Sequence, residues 1–309
     1  MGMVKRILLG LVVLIALASL LFVALSEADL SVDELKSKYA NEKSQYIDVQ
    51  GMSVHYRIEG NWSAPTLVLI HGTAASLHTW DAWVDYLAPY FKIVRFDLPA
   101  FGLTGPSPAR DYSKEAYVEF LNNFTQELGL TSFHLAGNSL GGDIAWNYAV
   151  TYPEKIDKLV LVDASGFLRK ENVPTIFKLA RNPIGGFLFK HVTPISLIRK
   201  NIEEVYYDDS LITDDLVKRY HEFAKREGNR QAFVDRVKQG EVDRTHLLKR
   251  ITAPTLIQWG KYDEWIPLAD ATKFDEAIAD SKVIEYEAGH IPMEEIPQIT
   301  AKDALAFLR

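Results

Sequence analysis

The chain of 309 residues contains no cysteine, and this absence excludes several kinds of chemistry at once. Disulfide bonds, thiolate metal sites and a cysteine nucleophile are all ruled out. An excess of positive charge is missing as well, because 34 lysine and arginine residues stand against 41 aspartate and glutamate residues, for a formal net charge of −7. An acidic surface repels the phosphate backbone, so we expect no nucleic acid among the partners.

Long apolar runs are absent except near the amino terminus, where residues 7–25 carry no charged side chain and follow Lys5 and Arg6. About 18 or more such residues can cross a bilayer as a helix, whereas the apolar region of a secretory signal has roughly 7 to 15. The length therefore favours a membrane anchor within residues 1–27. A signal cleaved at Ala24-Leu25-Ser26 is the alternative.

Both interpretations of the amino terminus predict the same topology. Basic residues stay on the cytoplasmic side of a membrane helix, so the acidic stretch that begins at Glu27 is expected on the other side. The globular domain is then outside the cytoplasm. It is membrane-anchored if the helix is retained, and secreted or periplasmic if the helix is cleaved.

Residues 28–44 are polar and predict a linker or a short helix, and the globular domain is expected to begin near residue 45. Alternating side chains around Gly51 predict a β-hairpin there. Short β-branched runs then alternate with helical stretches, which is typical of an α/β fold with a mostly parallel sheet, here of eight strands, covered by helices. The six strands predicted after the hairpin are residues 66–70, 92–96, 133–137, 158–162, 255–259 and 283–286.

The alternation stops at residues 166–250, where the sequence predicts helices separated by turns such as Asn182-Pro183. This stretch is expected to form a helical cap inserted between two parts of the α/β domain, residues 45–165 and 251–309. Its aromatic side chains are expected to pack the cap onto the domain, with the lining of a pocket as the alternative. They are Phe167, Phe177, Phe187, Phe189, Tyr206 and Tyr207.

The run Gly137-Asn138-Ser139-Leu140-Gly141-Gly142 contains the pattern Gly-x-Ser-x-Gly between a predicted strand and a predicted helix. In this context a nucleophile elbow holds a serine on a sharp, strained turn. The flanking glycines leave room for the turn, so that the hydroxyl is open to substrate. We predict Ser139 as the nucleophile of a serine hydrolase.

A serine hydroxyl needs a base to take its proton and a carboxylate to orient that base. Of the eight histidines, His290 follows the last predicted strand, which puts it at the carboxyl edge of the sheet. Asp263, in a polar loop after another strand, is the first choice for the acid, and Asp163 at the end of residues 158–162 is the competitor. The order serine, acid, histidine agrees with the hydrolase pattern.

A tetrahedral intermediate needs two preorganised amide donors. The amide of Leu140, directly after the nucleophile, is the first. The turn His71-Gly72-Thr73-Ala74 is expected to supply the second, from Thr73 or, as the near alternative, Ala74. Because the triad and these amides suffice for the chemistry, we expect no metal and no organic cofactor.

Together, these motifs resemble the α/β-hydrolase superfamily over residues 45–309. Within it, the chain resembles the capped bacterial esterases and lipases with a GNSLGG-type elbow, which implies hydrolysis of carboxylic esters, lipids included, through an acyl-enzyme. It also resembles the carbon–carbon bond hydrolases of aromatic degradation, although these usually carry a tryptophan where this chain has Ile291. A slow-turnover ligand receptor on the same fold is a third interpretation.

Two residues distinguish the chain within the superfamily. Ser139 argues against haloalkane dehalogenases and epoxide hydrolases, which use an aspartate nucleophile. Ala100 stands where many relatives have glycine in the loop Asp97-Leu98-Pro99-Ala100-Phe101-Gly102. An alanine is expected there only if the local φ is not forced positive.

Overall fold

The computed structural model describes residues 2–168, 173–240 and 242–309. Across these ranges the strands are β1 (Ser44–Val49), β2 (Met52–Gly60), β3 (Thr66–Ile70), β4 (Lys92–Phe96), β5 (Phe133–Asn138), β6 (Ile156–Val162), β7 (Thr255–Gly260) and β8 (Ser281–Tyr286). They form one sheet in the order β1-β2-β4-β3-β5-β6-β7-β8. The pairs β1–β2 and β2–β4 are antiparallel, and the remaining pairs are parallel. The predicted eight-stranded, mostly parallel sheet is confirmed.

Burial explains why the strands were recognisable in the sequence. In β3, every side chain from Leu67 to Ile70 is fully buried. A parallel strand covered on both faces needs apolar side chains at successive positions, which leaves an unbroken apolar run in the sequence. The predicted strands 66–70 and 92–96 coincide with β3 and β4.

Helices surround the sheet and connect its strands. In the described ranges they are α1 (Met3–Leu25), α2 (Val32–Tyr39), α3 (Asp81–Leu87), α4 (Lys114–Glu127), α5 (Leu140–Thr151), α6 (Thr175–Arg181), α7 (Pro183–His191), α8 (Ile195–Glu203), α9 (Asp214–Ala224), α10 (Asn229–Lys238), α11 (Ala269–Ala277), α12 (Pro292–Glu295) and α13 (Pro297–Leu308). The Ser113 hydroxyl caps α4 by accepting the Ala116 amide at 3.2 Å. One face of α4 is apolar and buried, and it carries Tyr117, Phe120, Leu121 and Phe124.

The insertion between β6 and β7 is helical, and its described residues contain α6 to α10 and no strand. Residues 169–172 and 241 of the predicted cap lie outside the described residues. Its aromatic side chains have mixed roles. Phe189 and Tyr206 are buried, whereas Phe187 and Tyr207 are 49% and 54% exposed. Phe177 lines a cavity next to Ser139.

The segment 28–44, predicted as a linker or short helix, contains helix α2 packed against the rest of the protein. The Ser31 hydroxyl caps this helix by accepting the Glu34 amide at 3.2 Å. Leu35 is fully buried and packs with Leu103 and Phe223. Of the two alternatives for this stretch, the structure contains the short helix, and Leu35 fixes it to the rest of the protein.

Helix α1 is long and apolar enough to cross a membrane by length and composition, and none of its residues is buried. Met1 of the predicted segment 1–27 lies outside the described residues. The end of α1 contacts the insertion, because Phe22 stacks on Phe187 with ring centroids 5.6 Å apart. Just beyond α1, Asp29 forms an ion pair with Arg230 at 2.7 Å.

Ala100 has a φ of +80°, so the expectation that this alanine avoids positive φ was wrong. Its amide donates to the carbonyl of Gly105 at 2.7 Å, which closes the loop after β4. The tertiary hydrogen bond holds the alanine in the left-handed region, where a side chain costs about 1–2 kcal/mol.

Candidate active site

Ser139 stands alone between β5 and α5, on a backbone turn with φ +54° and ψ −116°. The backbone packs so closely around this turn that there is no room for side chains at the two neighbouring glycines. A Cβ atom at Gly137 would lie 2.2 Å from the carbonyl oxygen of Gly141, and one at Gly141 would lie 2.3 Å from that of Ile70. Only glycine fits at both positions, which is the reason the motif requires them. The strained geometry is that of a nucleophile elbow.

His290 and Asp263 are in direct contact. Nδ1 of His290 donates to Oδ2 of Asp263 at 2.7 Å, and both side chains are buried. The other carboxylate oxygen accepts the amides of Trp265 and Ile266, each at 2.7 Å. A proton held on Nδ1 leaves Nε2 as the acceptor. Among the described residues Nε2 has no hydrogen-bond partner, so it is available to take a proton.

Asn138 joins the elbow to the histidine loop, and the sequence analysis did not assign it a role. Its Nδ2 donates to the carbonyl of His290 at 3.1 Å and to that of Val162 at 3.2 Å. The carbonyl of Val205, in the insertion, accepts the His290 amide at 2.8 Å. The position of Asn138 between the glycine and the serine of the motif is a signal in the sequence. Its contacts with the histidine loop are made by residues distant in sequence, so the motif alone does not predict them.

The turn predicted to stabilise an oxyanion packs against the nucleophile. A Cβ atom at Gly72 would lie 3.2 Å from Cβ of Ser139. His71 holds the turn, because its Nδ1 donates to the carbonyl of Gly72 at 2.7 Å and its Nε2 accepts the Leu98 amide at 2.9 Å. Burial lowers the pKa of His71, which keeps the ring neutral in this role. Ala74, the alternative donor, has a φ of +61°.

Leu140 is the first residue of α5, so its amide belongs to the first helical turn, whose N–H groups have no partner within the helix. Leu140 and Thr73 line the same cavity as Ser139. The two predicted donors thus border the same cavity as Ser139. This arrangement fits an oxyanion hole.

Asp163, the competing acid, lies beside Asp263 but in a different environment. Its Oδ1 accepts the Gly260 amide at 2.8 Å, and its Oδ2 is buried without a hydrogen-bond partner among the described residues. Burial, and then the neighbouring Asp263 carboxylate, raise the pKa of Asp163 well above its usual range. The surroundings of Asp163 therefore favour the neutral form of its side chain, next to the Asp263–His290 pair.

Asp163, Asp263 and His290 are also the residue types that bind metal ions, and their ligand atoms lie within 4.8 Å of one another. Nδ1 of His290 is already engaged by Asp263, and one oxygen of Asp163 by a backbone amide. These contacts orient His290 for proton transfer through Nε2.

A cavity of about 160 Å³ opens at Ser139. The α/β domain contributes Thr73 and Tyr117 to its wall, and the helical insertion contributes Phe177 and Arg236. The insertion thus covers the nucleophile and controls the shape of the cavity. A substrate bound here contacts both parts of the protein.

The family model described as the alpha/beta hydrolase fold matches residues 65–297, which include the elbow, the acid and the histidine. The chain belongs to this family. Its nucleophile turn, mostly parallel sheet and helical insertion are thereby explained as parts of an α/β hydrolase. The superfamily predicted from the motifs is confirmed.

Three relatives show where this α/β hydrolase lies within the family. A solved structure described as a membrane phospholipase A is 30% identical, with a TM-score of 0.75, and 98% of each chain is covered. Lipase 3 of a Moraxella species is 29% identical over 88% of this chain and 86% of its own. A 2-hydroxy-6-oxononadienedioate/2-hydroxy-6-oxononatrienedioate hydrolase of a Pseudomonas species is 28% identical over 73% of this chain and 82% of its own. The protein is an α/β hydrolase with lipase-like relatives.

Proposed function

We propose that this α/β hydrolase cleaves carboxylic esters, with Ser139 as nucleophile, His290 as base and Asp263 as the acid of the triad. The observation that carries the proposal is the 2.7 Å hydrogen bond from His290 to Asp263, which leaves Nε2 without a partner among the described residues. Ser139 stands on a strained turn at the cavity, and Asn138, the residue before it, contacts the carbonyl of His290 at 3.1 Å. A strained serine and an oriented, unoccupied base on adjoining loops are what acyl transfer requires.

The reaction then takes two steps. Nε2 of His290 removes the hydroxyl proton of Ser139 while Oγ attacks the ester carbonyl, and the amides of Thr73 and Leu140 hold the oxyanion. The intermediate collapses, the alcohol leaves with the proton from His290, and an acyl-Ser139 ester remains. Water attacks this ester with His290 again as base, which releases the acid and returns the proton to Ser139. Asp263 keeps the imidazole oriented and stabilises its charged form.

The substrates are proposed to include lipidic esters. Apolar side chains of Ile144, Phe177 and Trp265 line the cavity beside Ser139 and offer contacts to an acyl chain. The relatives named lipase and phospholipase A support the same substrate class. Helix α1 is proposed as the membrane anchor that holds the catalytic domain outside the cytoplasm, close to such substrates.

Hydrolysis of a carbon–carbon bond is the second candidate, and the Pseudomonas relative named as a 2-hydroxy-6-oxononadienedioate hydrolase favours it. The same serine, base and acid would serve that reaction. Ile291 after the histidine, in place of the tryptophan usual in those enzymes, favours the ester. The two candidates differ in the bond that is cleaved, so a substrate comparison separates them.

We expect the full-length protein in detergent to hydrolyse p-nitrophenyl esters of two to twelve carbons with kcat/KM of roughly 10⁴ M⁻¹s⁻¹ or more for the preferred length. Stopped-flow measurement of nitrophenolate release gives burst and steady-state rates. A 2-hydroxy-6-oxo-dienoate serves as the carbon–carbon substrate. Turnover of that compound alone would overturn the ester proposal, and a single slow turnover without a steady state would favour a receptor.

For the membrane anchor, we expect the full-length protein to remain in the membrane pellet after carbonate extraction. A variant that lacks residues 3–25 is the matched control and is expected in the soluble fraction, because the apolar helix supplies the affinity for the bilayer. The amino-terminal sequence of the extracted protein completes the measurement. A soluble full-length product with a new amino terminus near Glu27 would contradict the anchor and indicate a cleaved signal.

A further inference from the structure

Arg236 extends from α10 of the insertion into the cavity at Ser139. One of its terminal nitrogens, Nη2, donates to the hydroxyl oxygen of Thr73 at 3.1 Å. Thr73 is the residue whose amide is proposed to hold the oxyanion. The guanidinium therefore lies one side chain away from the place where the ester carbonyl reacts.

Among the described residues, the charged groups around the cavity leave this guanidinium without a counter-ion. Lys114, another cation on the wall, is matched by Asp143 at 3.0 Å, and Arg181, a third, also has a partner. Asp235, the neighbour of Arg236 in sequence, faces away and pairs with Arg110 at 2.6 Å. Within residues 2–168, 173–240 and 242–309, no carboxylate forms an ion pair with Arg236.

A half-buried cation without a counter-ion loses hydration that neutral hydroxyl groups restore only in part. A guanidinium carries five N–H donors in a planar fork, which matches two oxygens of a carboxylate or a phosphate. The hydroxyls of Thr73 and Tyr117 are the neighbours of Arg236 on the cavity wall, so the group retains donors for a ligand. An anion in the cavity would restore both the charge balance and the hydrogen bonds.

We propose that Arg236 binds an anionic group of the substrate, a carboxylate or a phosphate, so that the enzyme prefers anionic esters over neutral esters of the same length. The inference rests on the proposed ester hydrolysis and specifies its substrate class. Because Arg236 contacts Thr73, the anionic group binds on the Thr73 side of Ser139. The contact also orders the Thr73 turn when the substrate is bound.

The experiment compares matched pairs of esters in wild type, Arg236→Gln and Arg236→Lys. Mono-p-nitrophenyl succinate against p-nitrophenyl butyrate tests a carboxylate, and dihexanoyl phosphatidic acid against dihexanoylglycerol tests a phosphate. Glutamine removes the charge, and its shorter side chain also gives up the contact with the Thr73 hydroxyl. The comparison therefore uses the ratio of kcat/KM for anionic and neutral esters, because loss of the Thr73 contact alone lowers both. Arg110→Gln, on the surface in the pair with Asp235, is the matched control for loss of one positive charge.

We expect Arg236→Gln to lower the ratio of anionic to neutral kcat/KM by about 100-fold, since hydrogen bonds to charged groups contribute about 1.5–3 kcal/mol. Arg236→Lys is expected to lower the ratio about tenfold, because an ammonium group keeps the charge but loses the fork. Arg110→Gln is expected to leave the ratio at the wild-type value. The pair of substrates with the larger change identifies the anion as carboxylate or phosphate.

The proposal is overturned if Arg236→Gln leaves the ratio of anionic to neutral kcat/KM unchanged. If kcat/KM falls equally for both members of each pair, Arg236 only supports the Thr73 turn. If wild type cleaves no ester, the proposed function fails. Isothermal titration of Ser139→Ala with mono-p-nitrophenyl succinate and with dihexanoyl phosphatidic acid then tests the anion site without turnover. If the double variant Ser139→Ala/Arg236→Gln loses the binding seen with Ser139→Ala, the anion site is supported. If both variants bind equally, or if Ser139→Ala binds neither anionic ester, the site is overturned.

Discussion

Replacing Ser139 with alanine is expected to lower kcat for p-nitrophenyl butyrate by roughly 10⁵-fold, because no acyl-enzyme can form without the hydroxyl. His290→Ala is expected to cause a loss of the same size, since the hydroxyl is a weak nucleophile until Nε2 takes its proton. The double variant should lose little more than either single variant, because the two residues act as one unit. The residual kcat of these variants is then the part of catalysis that comes from the proposed oxyanion amides and from substrate binding.

Stopped-flow and steady-state assays of the purified full-length protein provide the rates, and melting temperatures establish that each variant is folded. Ser132→Ala is the matched control, because this hydroxyl lies on the surface and contacts Asp157 rather than the cavity. We expect its kcat to equal that of wild type. Retention of a tenth or more of the activity in Ser139→Ala would remove Ser139 as the nucleophile.

The strands of the sheet were predictable because the apolar pattern of each strand can be read from a few consecutive residues. Strand β3 carries an unbroken apolar run from Leu67 to Ile70. Strand β4 buries the apolar side chains Ile93, Val94 and Phe96, with Arg95 among them, as expected for a strand covered on both faces. The elbow was predictable because glycine is the residue type that fits at Gly137 and Gly141, where a Cβ atom would approach a backbone oxygen to 2.2 and 2.3 Å. These glycines lie two residues on either side of Ser139, so the requirement leaves a short pattern in the sequence.

Contacts between distant segments could not be predicted in the same way. The amide of Asn138 contacts the carbonyl of His290, 152 residues away, and the guanidinium of Arg236 contacts Thr73, 163 residues away. The place of Asn138 in the motif is a local signal, but it does not show which distant carbonyl the side chain contacts, and nothing near Arg236 in the sequence distinguishes it from other polar positions. The positive φ of Ala100 was missed for a different reason, because a hydrogen bond to Gly105 within the same loop opposes the intrinsic preference of alanine.

The same limitation left the two acids unresolved. Asp163 and Asp263 both follow strands at the carboxyl edge of the sheet, so their positions in the sequence favour them almost equally. Their surroundings differ, because Asp263 accepts Nδ1 of His290 at 2.7 Å whereas Asp163 accepts the backbone amide of Gly260. This difference supports Asp263 as the acid and predicts opposite results for two conservative substitutions.

We expect Asp263→Asn to lower kcat by roughly 10³ to 10⁴-fold, because an amide in contact with Nδ1 favours the tautomer in which Nε2 carries the proton. Asp163→Asn is expected to lower kcat less than about tenfold, since an asparagine resembles the neutral acid already present and can still accept the Gly260 amide. Ester assays of both variants, with the exposed Asp157→Asn as control, measure the difference. A larger loss in Asp163→Asn than in Asp263→Asn would reverse the assignment.

The stability of Asp163→Asn provides a second readout that is independent of turnover. The pKa of Asp163 in the folded protein lies well above the usual 3.8, because burial and Asp263 disfavour its charged form. The stability contributed by the neutral acid is therefore fully present below a pH of about 4 and is lost as the pH rises toward the folded pKa. Asparagine does not titrate, so the melting temperature of Asp163→Asn relative to wild type should rise between pH 4 and pH 8. A constant difference across this range would mean that Asp163 is charged in the folded protein. Two carboxylates, those of Asp163 and Asp263, would then supply the negative charge beside His290.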